Sequence, residues 1–205
     1  MKKIALFIMI IGIVFVGIGL YEYISTNTNQ NQALAEAKSL LEGSSSLDNN
    51  KTNTSIEETG PTFPADFTPD TGETVGLLHI PKLEADIAIV EGTDPNELAK
   101  GVGHYKGTAY PLQQDQIVLS GHRETVFRRM GELELGDILT IKLPYGDFSY
   151  EIVDTYIVSA DDRTVIAPTA PNEVLTLTTC YPFNFIGNAP DRYIITAHPI
   201  SKNNE

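Results

Sequence analysis

Thr176-Leu177-Thr178-Thr179-Cys180, near the C-terminal end, and Arg192-Tyr193-Ile194-Ile195-Thr196-Ala197, which opens twelve positions after that cysteine, decide how this chain is read. Both are short runs of β-branched and apolar residues bounded by turn formers, so both are predicted strands. Residues 181–191 form the loop between them. Antiparallel pairing sets the end of the first strand beside the start of the second, which makes Cys180 and Arg192 neighbours. Within the first strand, side chains alternate between faces. Cys180 therefore shares a face with Thr178 and Thr176, while Leu177 and Leu175 point the other way. Pro182 cannot continue a regular central strand. The cysteine thus lies on the polar face of a strand end, beside a loop, where reactive groups are usually presented.

Working outward, similar runs recur from Val75 onward: Val75 to Ile80, Ala85 to Val90, Gln116 to Gly121, Ile138 to Leu143 and Phe148 to Ser159. Turn formers such as Tyr145-Gly146-Asp147 and Ala170-Pro171-Asn172 separate them. This texture predicts an all-β barrel or sandwich. Pro95 to Lys100 reads as a short helix capped by Asp94, and Thr125 to Met130 as one more helical turn. The resulting domain, residues 75–205, is of ordinary size for a single core.

The first third of the chain has a different character. Ile4 to Leu20 is an unbroken apolar run, extended by Tyr21, Tyr23 and Ile24. That is long enough to span about 30 Å of hydrocarbon. Lys2 and Lys3 precede it and no basic residue follows until Lys38, which predicts a cytoplasmic N-terminus and an extracellular remainder. No small-x-small cleavage site directly follows, so residues 1–24 read as an uncleaved signal-anchor. Residues 25–74 are rich in Asn, Ser, Thr, Glu and Pro and read as an extracellular linker. Leu34, Ala37 and Leu41 recur at helical spacing within it, giving one short helix with Gly43 at its end.

The 205 residues carry a formal net charge of -13 and a single cysteine. The acidity excludes a nucleic-acid partner, whose phosphates it would repel. One cysteine cannot form an internal disulfide, and composition alone favours a buried thiol acting as a small hydrophobe. Its polar-face, strand-end position argues for a nucleophile instead. His122 closes the strand 116–121 in a matching setting, ahead of His79, His104 and His198, though spacing alone does not decide among the four. Cysteine attacks as the thiolate, which a nearby imidazolium or guanidinium favours. A histidine can then protonate a leaving amine, and Arg192 can stabilise an oxyanion or dock a carbonyl. The bland alternative for Arg192 is a surface pair with Asp191. No third acidic member is evident, with Glu124 lying two residues past the histidine. One cysteine and scattered histidines show no metal-ligand spacing, and Asp161-Asp162 alone makes no calcium loop. No cofactor is expected.

Thr176-Leu177-Thr178-Thr179-Cys180 resembles the TLxTC signature of the sortases, the transpeptidases of Gram-positive bacteria. Ser120-Gly121-His122-Arg123 resembles their histidine motif and Asp191-Arg192-Tyr193 their arginine. Gly103-His104-Tyr105, with Gly107-Thr108 and Pro111, is similar to the run ahead of the histidine strand. The resemblance spans roughly Val75 to Pro199, and the whole pattern is most similar to class D sortases of bacilli and clostridia. It implies a closed eight-stranded barrel with one or two short helices, preceded by the membrane helix and linker. It also implies that Cys180 attacks the Thr carbonyl of an LPxT-type sorting signal on a secreted protein, with His122 as acid and base and Arg192 at the substrate or oxyanion. A peptidoglycan precursor amine would resolve the thioacyl intermediate. Thr179 would help to hold substrate. Two rival readings share these residues: a surface cysteine peptidase releasing its product to water, and a non-catalytic surface barrel in which Cys180 is structural.

Overall fold

In the computed structural model, which describes residues 2–48, 62–184 and 187–200, the apolar runs pair edge to edge into one closed sheet. Its strands are β1 (Thr74–Ile80), β2 (Ala85–Glu91), β3 (Val102–His104), β4 (Gln116–Ser120), β5 (Ile138–Leu143), β6 (Gly146–Ser159), β7 (Val174–Tyr181) and β8 (Asp191–Pro199). Around the barrel they run β1-β2-β3-β4-β7-β8-β6-β5, closing on β1. The pairs β2–β3 and β4–β7 are parallel; the others are antiparallel. Closure removes the unpaired strand edges that an open sheet would expose. The closed eight-stranded barrel is the architecture that the resemblance implies, and it decides between the barrel and the sandwich that the spacing of the runs leaves open.

The alternation read from the sequence sets the core. Leu175 and Leu177 of β7 are fully buried, as are Leu139 and Ile141 of β5, Ile117 and Leu119 of β4, and Ile195 and Ala197 of β8. Each large aliphatic chain so buried contributes roughly 1.5–3 kcal/mol relative to exposure. A strand absent from the sequence reading is β3. At three residues it is too short to show a period, and Gly103 at its centre has no side chain to mark a face. That glycine is required by contact rather than by φ: a Cβ there would fall 2.3 Å from the Gly92 carbonyl oxygen. The helix expected over 95–100 is present as α2 (Pro95–Leu98), but the Asp94 side chain makes no cap hydrogen bond. Thr125 to Arg129 form turns rather than a helix, and a single 3-10 turn follows at Met130–Glu132.

The N-terminal third departs from its reading. The sequence predicts a membrane helix ending at residue 24, then a linker holding a separate short helix that stops at Gly43. The structure has one helix, α1 (Lys2–Asp48), which passes through Gly43. It is long and apolar enough to cross a membrane, and Phe15, Val16 and Leu20 on its N-terminal half are exposed. Its C-terminal half lies on the outside of the barrel. Ala33 and Ala37 pack against Leu77 of β1 and Ala88 of β2, with Leu34 and Leu41 partly buried beside them. Thr74 Oγ1 donates to a Glu36 carboxylate oxygen at 2.7 Å, and Lys38 lies 3.4 Å from Asp86. The intervening Asn, Thr and Gln residues have modest helix propensity but include no proline, so docking of the alanine face is enough to carry the helix through. The Pro-rich C-terminal part of the expected linker is also docked. Phe63 and Phe67 set their rings edge-on to Tyr145, and Phe67 does the same to Tyr110. Residues 49–61, the centre of the expected linker, lie outside the described residues.

Candidate active site

The cysteine strand is positioned by pairing on both sides. Its β8 partner sets Cys180 directly opposite Arg192, and Thr179 opposite Tyr193. Its β4 partner runs parallel, with Ser120 opposite Thr178. Parallel register brings the two strands out of the sheet at the same end, so His122, two residues past Ser120, emerges beside Cys180. The join is stitched by two hydrogen bonds: the Gly121 amide donates to the Thr178 carbonyl at 3.1 Å, and Thr179 Oγ1 donates to the Gly121 carbonyl at 2.7 Å.

Cys180, His122 and Arg192 line one open cavity of about 370 Å³ on the outer face of this wall. Thr176 and Thr178, which share the cysteine's face, line it too, while Ala160, Asp162, Arg163, Val165 and Ile166 of the β6–β7 loop close its far side. Cys180 is half-buried and free. The Arg192 guanidinium is steered by backbone: it donates to the Asp191 carbonyl at 2.9 Å and to the Ala189 carbonyl at 3.4 Å. It makes no ion pair with a carboxylate among the described residues, so the surface pair with Asp191 considered above is absent. An arginine whose donors are only partly engaged keeps capacity for an incoming carbonyl oxygen.

The other expected candidates are engaged with other partners. Thr179 borders the cavity, but it is buried and its hydroxyl is engaged by Gly121. Glu124 points to Arg123, with Nε to carboxylate oxygen at 2.6 Å, and not to the histidine. Partial burial of Glu124 raises its carboxyl, and the hydrogen bond and charge of Arg123 outweigh that, leaving it below the usual range. His79 pairs with Asp86. No cluster of metal-ligating side chains occurs among the described residues.

Sequence reasoning missed a buried polar network behind the histidine strand. The His104 ring of β3 is hydrogen-bonded through Nδ1 to Glu91 at 2.6 Å and through Nε2 to the Ala109 carbonyl at 3.0 Å. Tyr110 donates its hydroxyl to the same Glu91 oxygen at 2.6 Å and stacks on the His104 ring at a centroid distance of 4.0 Å. Burial raises the Glu91 carboxyl, but the hydrogen bonds from His104 and Tyr110 more than offset it and leave the group below its ordinary value. Burial and the neighbouring carboxylate push the Tyr110 hydroxyl up. This network seals the β2–β3–β4 junction from which the histidine loop departs.

A chemistry of attack by a thiol, proton transfer by an imidazole and charge stabilisation by a guanidinium fits this cavity. The comparisons with known proteins agree in kind. The sortase-domain family model matches residues 78–200. Sortase D of Bacillus subtilis is 51% identical over 194 residues, covering 95% of this chain and 96% of its own. Sortase SrtE1 of Streptomyces coelicolor is 33% identical over 141 residues, covering 60% of this chain and 40% of its own. Among solved structures, a Sortase D5 transpeptidase of Clostridium perfringens shares the fold, with a TM-score of 0.66 at 24% identity, covering 84% of this chain and 99% of that one. The chain belongs to the sortase family.

Proposed function

We propose that this chain is a membrane-tethered cysteine transpeptidase of the class D type. Cys180 attacks the Thr carbonyl of an LPxT-type signal near the C-terminus of a secreted protein. His122 protonates the departing amine, and the thioacyl-enzyme forms as the peptide bond breaks. Arg192 donates to the carbonyl oxygen as negative charge develops there. An amine, from a peptidoglycan precursor, then attacks the thioester; His122 takes up its proton and Cys180 leaves as the thiolate. Thr179 holds the strand end through Gly121. Residues 1–24 are the anchor, with the N-terminus cytoplasmic and the barrel outside.

One observation carries this reading: Cys180, His122 and Arg192 open into a single cavity, with Cys180 and Arg192 opposite each other in register. Relatedness to sortase D of Bacillus subtilis supports the class. The test uses the full chain in detergent, a library of LPxT-type peptides and mass detection of the thioacyl adduct, with and without an amine acceptor. The wild type forms the adduct and passes the acyl group to the amine. Cys180→Ala folds but forms neither adduct nor product. Product formation by that variant would refute the assignment, and release to water alone would favour the peptidase reading.

A further inference from the structure

Arg123 is a buried cation with no part in the chemistry above: it is only 4% exposed, although it directly follows His122. A guanidinium tolerates such burial only when its donors are matched. Here they are. Nη1 donates to the Pro182 carbonyl at 3.0 Å, Nη2 to the Gly187 carbonyl at 2.8 Å and Nε to Glu124 at 2.6 Å. Pro182 lies two residues after Cys180, and Gly187 lies five before Arg192. One planar fork, anchored beside the histidine, therefore grips the backbone on both the cysteine side and the arginine side of the β7–β8 connection. A lysine, as a single point charge, cannot span two carbonyls this way.

We propose that Arg123 is a positioning residue for acyl transfer: it holds Pro182 and the Gly187–Asp191 segment so that Arg192 faces the substrate carbonyl at Cys180. This rests on the transpeptidase reading above. The cysteine itself is held separately, by the Thr179–Gly121 and Gly121–Thr178 hydrogen bonds and by β-pairing on both sides. Loss of Arg123 should therefore loosen the approach to β8 while leaving the thiol in place. That separates a positioning role from a general structural one.

The experiment compares full-chain wild type, Arg123→Gln and Arg123→Lys in detergent. It reads three quantities: amide hydrogen exchange at Gly187 to Ala189, the same exchange at Leu177 to Cys180 of β7, and kcat/KM for an LPxT-type peptide. Arg123→Gln should exchange faster at Gly187 to Ala189 and lose about 10²-fold in kcat/KM, the scale of a displacement near 1 Å, with exchange at Leu177 to Cys180 unchanged. Arg123→Lys should fall between it and the wild type. Wild-type turnover and exchange in Arg123→Gln would overturn the proposal, as would exchange at Leu177 to Cys180 that rises along with the loss of turnover. Should Arg123→Gln not fold, Arg123→Lys carries the comparison; unfolding of both would make Arg123 a fold determinant and overturn the positioning role. A wild type that forms no thioacyl adduct would sink the transpeptidase reading and this role together, whereas an active wild type matched by Arg123→Gln would sink this role alone.

Discussion

Gly121→Ala should disable the site while sparing most of the fold. Gly121 is the hinge between β4 and His122, and both its amide and its carbonyl are bonded to β7. A Cβ there would meet Phe127 Cδ2 at 2.5 Å, Phe127 Cε2 at 2.7 Å and Val126 Cγ2 at 2.9 Å. Carbon atoms rest at about 3.5–4.0 Å, so the ring must retreat by roughly 1 Å. Phe127 is fully buried, and its amide is bonded to the His122 carbonyl at 3.0 Å. Either the ring moves and drags the histidine turn, or Gly121 moves and loses its bonds to β7. Both routes displace His122. Overpacking of this kind costs about 1–3 kcal/mol of stability, a fall of several degrees in Tm. The same displacement should cost about 10²-fold in kcat/KM. The assay is steady-state turnover of an LPxT-type peptide, set beside thermal unfolding followed by circular dichroism. Phe127→Leu on the Gly121→Ala background opens the space again and should recover much of the lost activity. Wild-type turnover in Gly121→Ala, or a double variant no better than the single, would show that the Phe127 contact does not govern the placement of His122.

Arg192→Ala should lower kcat by about 10²–10³, the worth of one oxyanion donor, with the fold intact by circular dichroism; turnover near the wild type would make it a bystander. Glu91→Gln strips the carboxylate that joins His104 and Tyr110 and should cost about 1–3 kcal/mol in denaturant unfolding, because two buried groups lose a charged hydrogen-bond partner. The Glu91 carboxyl is depressed in the folded state, so its stabilisation is present above its ordinary value of 4.5 and is lost as pH falls from there through its folded value. Wild type should therefore lose more stability than Glu91→Gln over that acidic window, and equal losses would place the acid sensitivity elsewhere. Ala37→Glu inserts a charge where α1 meets Leu77 and Ala88. It should make cleavage of residues 26–48 by an added protease at least about tenfold faster while the barrel persists.

The sequence by itself determined whatever depends on short spacings. Period-two alternation placed Leu175 and Leu177 inside and Cys180 outside, and that alternation holds in the barrel. Pro182 and the strand boundaries placed the cysteine at a strand end, and a single loop made Arg192 its register partner. Spacing left four histidines in contention; the parallel β4–β7 pairing, a contact between segments far apart in the chain, brings His122 to Cys180. Tertiary structure also decided the fate of the first third. The Asn- and Ser-rich stretch after the membrane run has no helical signal strong enough to stand alone, and it stays helical because Ala33 and Ala37 find Leu77 and Ala88. Arg123 and the Glu91–His104–Tyr110 network were invisible for the same reason. Apart from Glu124 and Ala109, their partners are carbonyls and carboxylates 13 to 64 residues away, and no local pattern marks a polar side chain that the fold will bury and satisfy. Periodicity reports which face a side chain takes within its own strand; only the folded chain reports what waits on the other side of that face.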